Sequence, residues 1–164
     1  GLLGAEWFAT RPTVPAAGPP RTAGVAAAGV RTPRLRPCPS AVLRQAGFQY
    51  DATPHPTWVP GRYNGLRLPR RPWSEDGLLR IPISVLPWLR LPVSWIWYRT
   101  AGSTLGGAAA RAAGVASPYV HLYFHPWEAV PLDAYGIPRS LRIGTGRPFL
   151  GMLDDLLTRA RRGY

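Results

Sequence analysis

Residues 24–51 read GVAAAGVRTPRLRPCPSAVLRQAGFQYD, and this stretch decides the fold of the chain. The apolar run that ends at Val30 predicts a short strand. The next patterned segment predicts a short helix, with Ser40 as its N-cap and Gly47 as its C-terminal stop. Residues 48–51 predict a second strand. Strand, helix and strand in this order indicate a β-α-β unit, so we expect an α/β fold with a parallel sheet or barrel.

Four later segments continue the alternation of strands and helices. Residues 78–83 predict a strand, and the proline at position 82 favours the edge of the sheet. Residues 101–114 predict a helix of small side chains. Residues 120–125 alternate in the way that is typical of a strand, and residues 149–160 place apolar side chains at helical spacing.

Length and composition predict one folded domain. With 164 residues, of which 46 % are apolar, the chain suffices for one hydrophobic core. Residues 1–23 contain four prolines and no clear pattern, so we place the domain at residues 24–164. The single cysteine, Cys38, excludes an internal disulfide. No run approaches the ~18–20 apolar residues that cross a bilayer, so we expect no transmembrane segment.

The charge of the chain is strongly positive, with 20 basic residues against 8 acidic ones and a net charge of +12. Every basic residue is arginine, although lysine also serves well as a point charge for phosphate. The absence of lysine favours a GC-rich coding bias over a specific nucleic-acid interface as the cause of the positive charge. Binding of nucleic acid or another polyanion stays open as the alternative function, because arginines and aromatic residues interleave between positions 58 and 99. They are Trp58, Arg62, Tyr63, Arg67, Arg70, Arg71, Trp73, Trp88, Arg90, Trp95, Trp97, Tyr98 and Arg99.

Residues 118–128 read PYVHLYFHPWE and contain two of the three histidines. His121 and His125 share one face of the predicted strand, because side chains alternate along an extended chain. Four residues of strand span about 13 Å, so the two rings do not reach one metal ion. His125 ends the strand, at the edge where α/β folds carry chemistry, and is our candidate acid–base group. His121 is expected in the interior, and Glu128 either joins the site or caps the turn that follows.

Three segments, in this order, resemble the C-terminal half of polysaccharide deacetylases, the NodB-homology group of carbohydrate esterase family four. GVRTPRL at 29–35 is similar to the Arg-x-Pro turn of that family, and AGFQYDAT at 46–53 is similar to its Tyr-Asp segment. LYFHPWE at 122–128 is similar to its hydrophobic strand that ends in histidine. The resemblance implies metal-dependent removal of acetyl groups from N-acetylated glycans on a distorted (β/α) barrel, in the bacterial cytoplasm or cell envelope.

The resemblance also implies roles for five residues. His125 would be the general acid that protonates the leaving amine. Asp51 would hold this histidine in its charged form, and Arg31 would orient the catalytic aspartate through charge-assisted hydrogen bonds. Trp127 and Trp58 would stack on the sugar. The implied cofactor is a divalent metal ion, with zinc as the expected ion.

Two motifs of that family have no counterpart in the chain. One is a Thr-Phe-Asp-Asp step and the other is a His-x-x-x-His metal pair. The only Asp-Asp step is Asp154-Asp155, and no histidine precedes His55. We therefore expect the metal ligands to be absent from this chain, which would be an N-terminally truncated deacetylase, inactive by itself. No pattern in the chain predicts an oligomeric state.

Overall fold

The computed structural model describes residues 21, 22, 24–115, 117 and 119–161. They belong to two compact units, Gly1–Ile83 and Ser84–Tyr164. Most of the predicted N-terminal segment, residues 1–23, lies outside the described residues. Helices and strands with a partly parallel sheet confirm the α/β class, whereas the described strands form open sheets and no barrel.

The first unit contains the strands and one short helix. The strands are β1 (Arg21–Thr22), β2 (Val25–Ala26), β3 (Gly29–Val30), β4 (Tyr50–Asp51), β5 (Trp58–Val59), β6 (Tyr63–Asn64), β7 (Trp73–Glu75) and β8 (Leu78–Arg80). The helices of the two units are α1 (Ser40–Gln45), α2 (Trp95–Val115), α3 (Arg139–Arg142) and α4 (Arg147–Arg161). Shorter 3₁₀ turns lie at Pro33–Leu35 and Pro126–Ala129.

The main sheet has the order β3-β4-β8-β7. Strands β3, β4 and β8 are parallel, and β7 runs antiparallel at one edge. Helix α1 connects β3 to β4, which confirms the predicted β-α-β unit. The close approach of β3 to β4 requires Gly29, because a Cβ there would lie 2.0 Å from the ring of Tyr50.

Helix α1 ends where the sequence predicts and begins one residue earlier than predicted. Gly47 follows it with a φ of +82°, a conformation that glycine adopts at little cost. Ser40 is the first helical residue, and Pro39 occupies the N-cap. The predicted N-cap role of Ser40 is therefore wrong. Its hydroxyl instead donates to the Glu75 carboxylate at 2.7 Å.

Strand β8 lies inside the sheet, between β4 and β7, so the edge position predicted from Pro82 is wrong. The strand ends at Arg80, and the proline therefore removes no hydrogen bond from the ladder. The first unit builds its core between this strand and α1. That core consists of Cys38, Leu43, Ala46, Phe48 and Leu78.

The second unit packs α2 against α4. The predicted helices at 101–114 and 149–160 are both confirmed within these longer elements. Helix α2 is interrupted at Gly102, whose φ of +78° and ψ of 172° are not helical. Gly106 lets the chain pass the ring of Tyr98, because a Cβ at Gly106 would lie 2.3 Å from that ring. The core of the unit comprises Val93, Tyr98, Ala110, Ala113 and Leu156.

Residues 120–125 are not a strand, although their alternation is real. Val120, Leu122 and Phe124 pack against the core of the second unit, as the pattern predicts for one face. The backbone of this segment meets Ser84, whose amide donates to the carbonyl of His121 at 3.1 Å. The structure assigns no β-ladder to residues 120–125. Alternation specifies which side is buried, while a strand also needs a neighbouring backbone along its length.

Candidate functional site

The second unit places His125 beside a fully buried carboxylate. His125 has extended backbone angles, and Pro126 starts the 3₁₀ turn that follows it. This turn returns Glu128 to His125, where its Oε1 accepts from the His125 amide at 2.9 Å and lies 2.8 Å from Nδ1. The capping role of Glu128 is thereby confirmed, and the same carboxylate also binds the ring. The His125 side chain is 40 % exposed and that of Glu128 is 0 % exposed.

The second oxygen of Glu128 faces Arg99. Arg99 Nε lies 3.6 Å from Glu128 Oε2, and both side chains are 0 % exposed. This separation is too long for a good hydrogen bond, so the contact is mainly electrostatic. Arg99 also donates from Nη1 to the carbonyl of Leu141 at 2.8 Å. Burial lowers the pKa of the Arg99 guanidinium, and the charge of Glu128 opposes this shift.

Two tryptophans enclose this charged group. The ring of Trp127 stacks on His125 with centroids 5.4 Å apart, and Trp95 meets the His125 ring edge-on at 5.7 Å. The guanidinium of Arg99 lies 4.4 Å from the ring centroid of Trp95 and 5.2 Å from that of Trp127. Trp127 is therefore occupied by contacts within the unit and forms a wall of the site. Its predicted stacking on a sugar stays a prediction.

This arrangement determines which nitrogen of His125 carries out proton transfer. When Nδ1 carries a proton, it donates to Glu128 Oε1, and Nε2 is then the nitrogen that can exchange a proton with a ligand. The half-exposed ring leaves room for such a partner. The residue pair can therefore donate or accept a proton while its geometry is held by a buried group.

In the first unit, Asp51 is part of a buried network around Arg80. The Asp51 side chain is 1 % exposed, forms an ion pair with Arg80 and accepts from the Thr53 amide at 2.8 Å. Arg80 also donates to the Ser40 hydroxyl at 2.9 Å and to the Glu75 carboxylate at 2.8 Å. Hydrogen bonds from Ser40 and from Arg80 hold the pKa of Glu75 below its ordinary value.

Asp51 lines a cavity of about 660 Å³ at the ends of β3 and β4. His55 also lines it, and the ring of Tyr63 meets the His55 ring edge-on at 4.9 Å. Burial, and then the charges of Arg31 and Arg62, lower the pKa of His55 to about 4. The ring is therefore neutral at pH 7. Among the described residues, neither ring nitrogen has a hydrogen-bond partner.

The five predicted site residues are distributed over both units. Arg31, Asp51 and Trp58 belong to the first unit, where Arg31 donates to the carbonyl of Ala52 at 3.1 Å and Trp58 is 56 % exposed. His125 and Trp127 belong to the second unit, and the structure brings these two into contact.

Sequence reasoning missed Arg99 and Arg80. A usable signal exists for Arg99, because no aspartate or glutamate occurs between Asp76 and Glu128. A buried arginine in this interval therefore has Glu128 as its nearest later carboxylate. The Arg80–Asp51 contact offers no such signal, since Asp51 precedes Arg80 by 29 residues and Glu75 is a carboxylate closer to it in sequence.

The described residues lack a metal-ligand cluster and a membrane-spanning helix. They contain no group of three or more histidine, cysteine, aspartate or glutamate side chains that is arranged to hold a metal ion. No described helix combines the length and the hydropathy that a membrane crossing needs.

Comparisons with known proteins identify no relative. No family model, no curated protein and no solved structure matches the chain. The resemblance to polysaccharide deacetylases therefore rests on the three sequence segments alone.

Proposed function

We propose that this chain carries the general acid of a hydrolase that removes acetyl groups from N-acetylated sugars. One observation supports this most directly: the half-exposed imidazole of His125 is held at Nδ1 by the buried carboxylate of Glu128. The order of the Arg-x-Pro, Tyr-Asp and His-Pro-Trp-Glu segments supports it independently. On this proposal the sheet of the first unit is part of a distorted (β/α) barrel.

Hydrolysis of an acetamide needs a proton on the departing nitrogen, because an amine anion is a very poor leaving group. On this proposal, protonated His125 supplies this proton from Nε2. Glu128 fixes the ring and compensates its positive charge. Asp51, Arg31 and Trp58 belong to the first unit, and the roles proposed for them in the reaction rest on the resemblance of the sequence segments alone.

The proposed reaction uses a divalent metal ion, with zinc as the expected ion, to activate the attacking water. The described residues do not fit such an ion, since they contain no three-ligand group. No step of the reaction is therefore assigned to a metal ligand of this chain.

The test uses an extended protein, which joins the chain to any coding sequence that precedes it in the gene, and acetate release from chitooligosaccharides is the assay. We expect His125→Ala to lower kcat by about 10²–10⁴-fold, the range typical of a lost general acid. His121→Gln is the matched control and keeps most of the activity. Full activity of His125→Ala, or no acetate release by the extended protein with added divalent metal, would contradict the proposal.

A second candidate, polyanion binding, is favoured by the β5–β6 hairpin. Trp58 is exposed there, and the guanidinium of Arg62 lies 5.1 Å from the centroid of the Tyr63 ring. Such a surface can stack on unpaired bases. A salt titration of binding to a random oligonucleotide tests it: a steep loss of affinity with salt supports this function, and no binding at low salt excludes it.

A further inference from the structure

The second unit projects a short hairpin around residues 87–91. Val85 and Pro92 form an antiparallel bridge at its base. The Leu86 amide donates to the Leu91 carbonyl at 2.9 Å, and the Arg90 amide donates to the Leu86 carbonyl at 3.0 Å. These bonds close a tight loop of four residues, 87–90, with Arg90 at a φ of +49°. The loop is therefore a defined structure with a closed backbone.

The apolar side chains of this loop point away from the core. Trp88 is 88 % exposed, more than any other large apolar side chain that the structure describes, and Leu89 is 71 % exposed. Leu91 is 41 % exposed. The base of the hairpin is buried, with Val85 at 3 % and Val93 at 1 % exposure. The buried base anchors the hairpin, so these three side chains are held in water at a considerable hydrophobic cost.

The positive charge of the sequence around the hairpin indicates which kind of surface the hairpin binds. The sequence contains no aspartate or glutamate from Gly77 to Trp127, while Arg90 lies in the loop itself. Over Ser84–Tyr164 as a whole, nine arginines stand against four carboxylates. A surface that approaches this unit therefore meets apolar side chains on a positively charged background.

We propose that the hairpin tip, residues 87–91, inserts into the headgroup region of an anionic lipid bilayer. Tryptophan is enriched at this depth because its ring is mostly apolar while its N–H still reaches a polar partner. Leu89 and Leu91 enter the boundary of the acyl chains, as the apolar face of an interfacial segment does. Arg90 and the excess of arginine attract the negative lipid surface. This attachment does not depend on the proposed deacetylase reaction.

Co-sedimentation of the chain with lipid vesicles tests the proposal. One set of vesicles is phosphatidylcholine alone, and the other also contains phosphatidylglycerol. We expect binding to the anionic vesicles, and binding at least about tenfold weaker for the double variant Trp88→Ala/Leu89→Ala. The matched control is Leu105→Ala/Val115→Ala, which removes two other side chains of the unit that are 56 % and 83 % exposed. This control keeps the wild-type binding.

Three results would overturn the proposal. The first is undiminished vesicle binding by the Trp88→Ala/Leu89→Ala variant. The second is equal binding of the wild-type chain to both kinds of vesicle, because the anionic headgroup would then have no role. The third is no vesicle binding together with self-association that disappears in the same double variant, which would make a second copy of the chain the partner of the tip.

Discussion

Each unit buries one arginine against a carboxylate, and the two pairs are built differently. In the first unit, Arg80 hydrogen-bonds to Asp51, Glu75, Ser40 and the carbonyl of Cys38. In the second, Arg99 Nε stands 3.6 Å from Glu128 Oε2. Among the described residues, Arg99 Nε and Nη2 have no hydrogen-bond partner.

The difference indicates a structural pair and a pair available for chemistry. A buried ion pair is maintained when hydrogen bonds replace the lost water, as they do around Arg80. Glu128 instead divides its two oxygens between Arg99 and the ring of His125. A carboxylate that binds a half-exposed imidazole and faces a buried guanidinium is suited to hold a proton donor in place.

Among the variants that test this difference, Arg80→Met is expected to cost the most stability. The substitution leaves Asp51 buried without a counter-charge and also removes a partner of Glu75. We expect a loss of about 3–5 kcal/mol in the stability of the first unit, the cost typical of breaking a buried ion pair. Amide hydrogen exchange of residues in α1 and β8 measures it. The exposed Arg67→Met is the control, and a loss below about 1 kcal/mol for Arg80→Met would refute the structural role.

The stability of the first unit also depends on pH, through His55. His55 titrates near 6.5 in the unfolded chain and at about 4 in the folded one, so only the unfolded state takes up a proton between these values. The contribution of His55 to the free energy of unfolding is complete above pH 6.5, and it decreases by about 3 kcal/mol as the pH falls to 4. Denaturant unfolding at several pH values measures this slope. His55→Phe should remove this part of it, and an unchanged slope in the variant would show that the ring is not protected from protons.

Arg99→Met tests the pair in the second unit, Arg99 and Glu128. We expect a smaller loss than for Arg80→Met, about 2 kcal/mol, because Glu128 keeps its hydrogen bonds with His125. Hydrogen exchange in α2 and α4 follows the effect, and the exposed Arg111→Met serves as the control. If Arg99→Met costs as much as Arg80→Met, the two pairs are equally structural and the distinction fails.

Ser40→Ala is expected to have the smallest effect, a loss of about 1 kcal/mol. The hydroxyl is one of several groups around Arg80, which keeps its carboxylate partners in this variant. Ser74→Ala, at an exposed position of β7, is the control with no expected change. A loss of 3 kcal/mol or more would mean that the network depends on this hydroxyl rather than on the ion pair, contrary to our interpretation.

The parts of the fold that depend on short stretches of sequence were predictable. Gly47 ends α1 through its own backbone conformation, and the alternation of residues 120–125 identifies the buried face. The wrong predictions for residues 78–83 and 120–125 concern which segments lie beside them in the folded chain. Pro82 says nothing about which strand lies beside β8, and residues 120–125 show no signal for the missing partner strand.

In the candidate site, too, only the contact between residues close in sequence was predictable. Glu128 lies three residues after His125, and a turn starting at Pro126 brings their side chains together, so the sequence suggested a cap or a site there. Arg80 reaches Asp51, and Arg99 reaches Glu128, across 29 residues each, and no pattern of a few residues identifies these pairs.

By itself, the sequence determined the α/β class, the β-α-β unit, three of the four described helices and the position of His125 at the end of an alternating segment. These follow from steric preferences and from side-chain periodicity, which act over a few residues. Only the tertiary structure decided the order of the strands, the partners of Asp51 and Glu128, and the exposure of Trp88. Each of these depends on which distant segment supplies the counter-charge or the covering surface, and packing of the whole unit determines that choice.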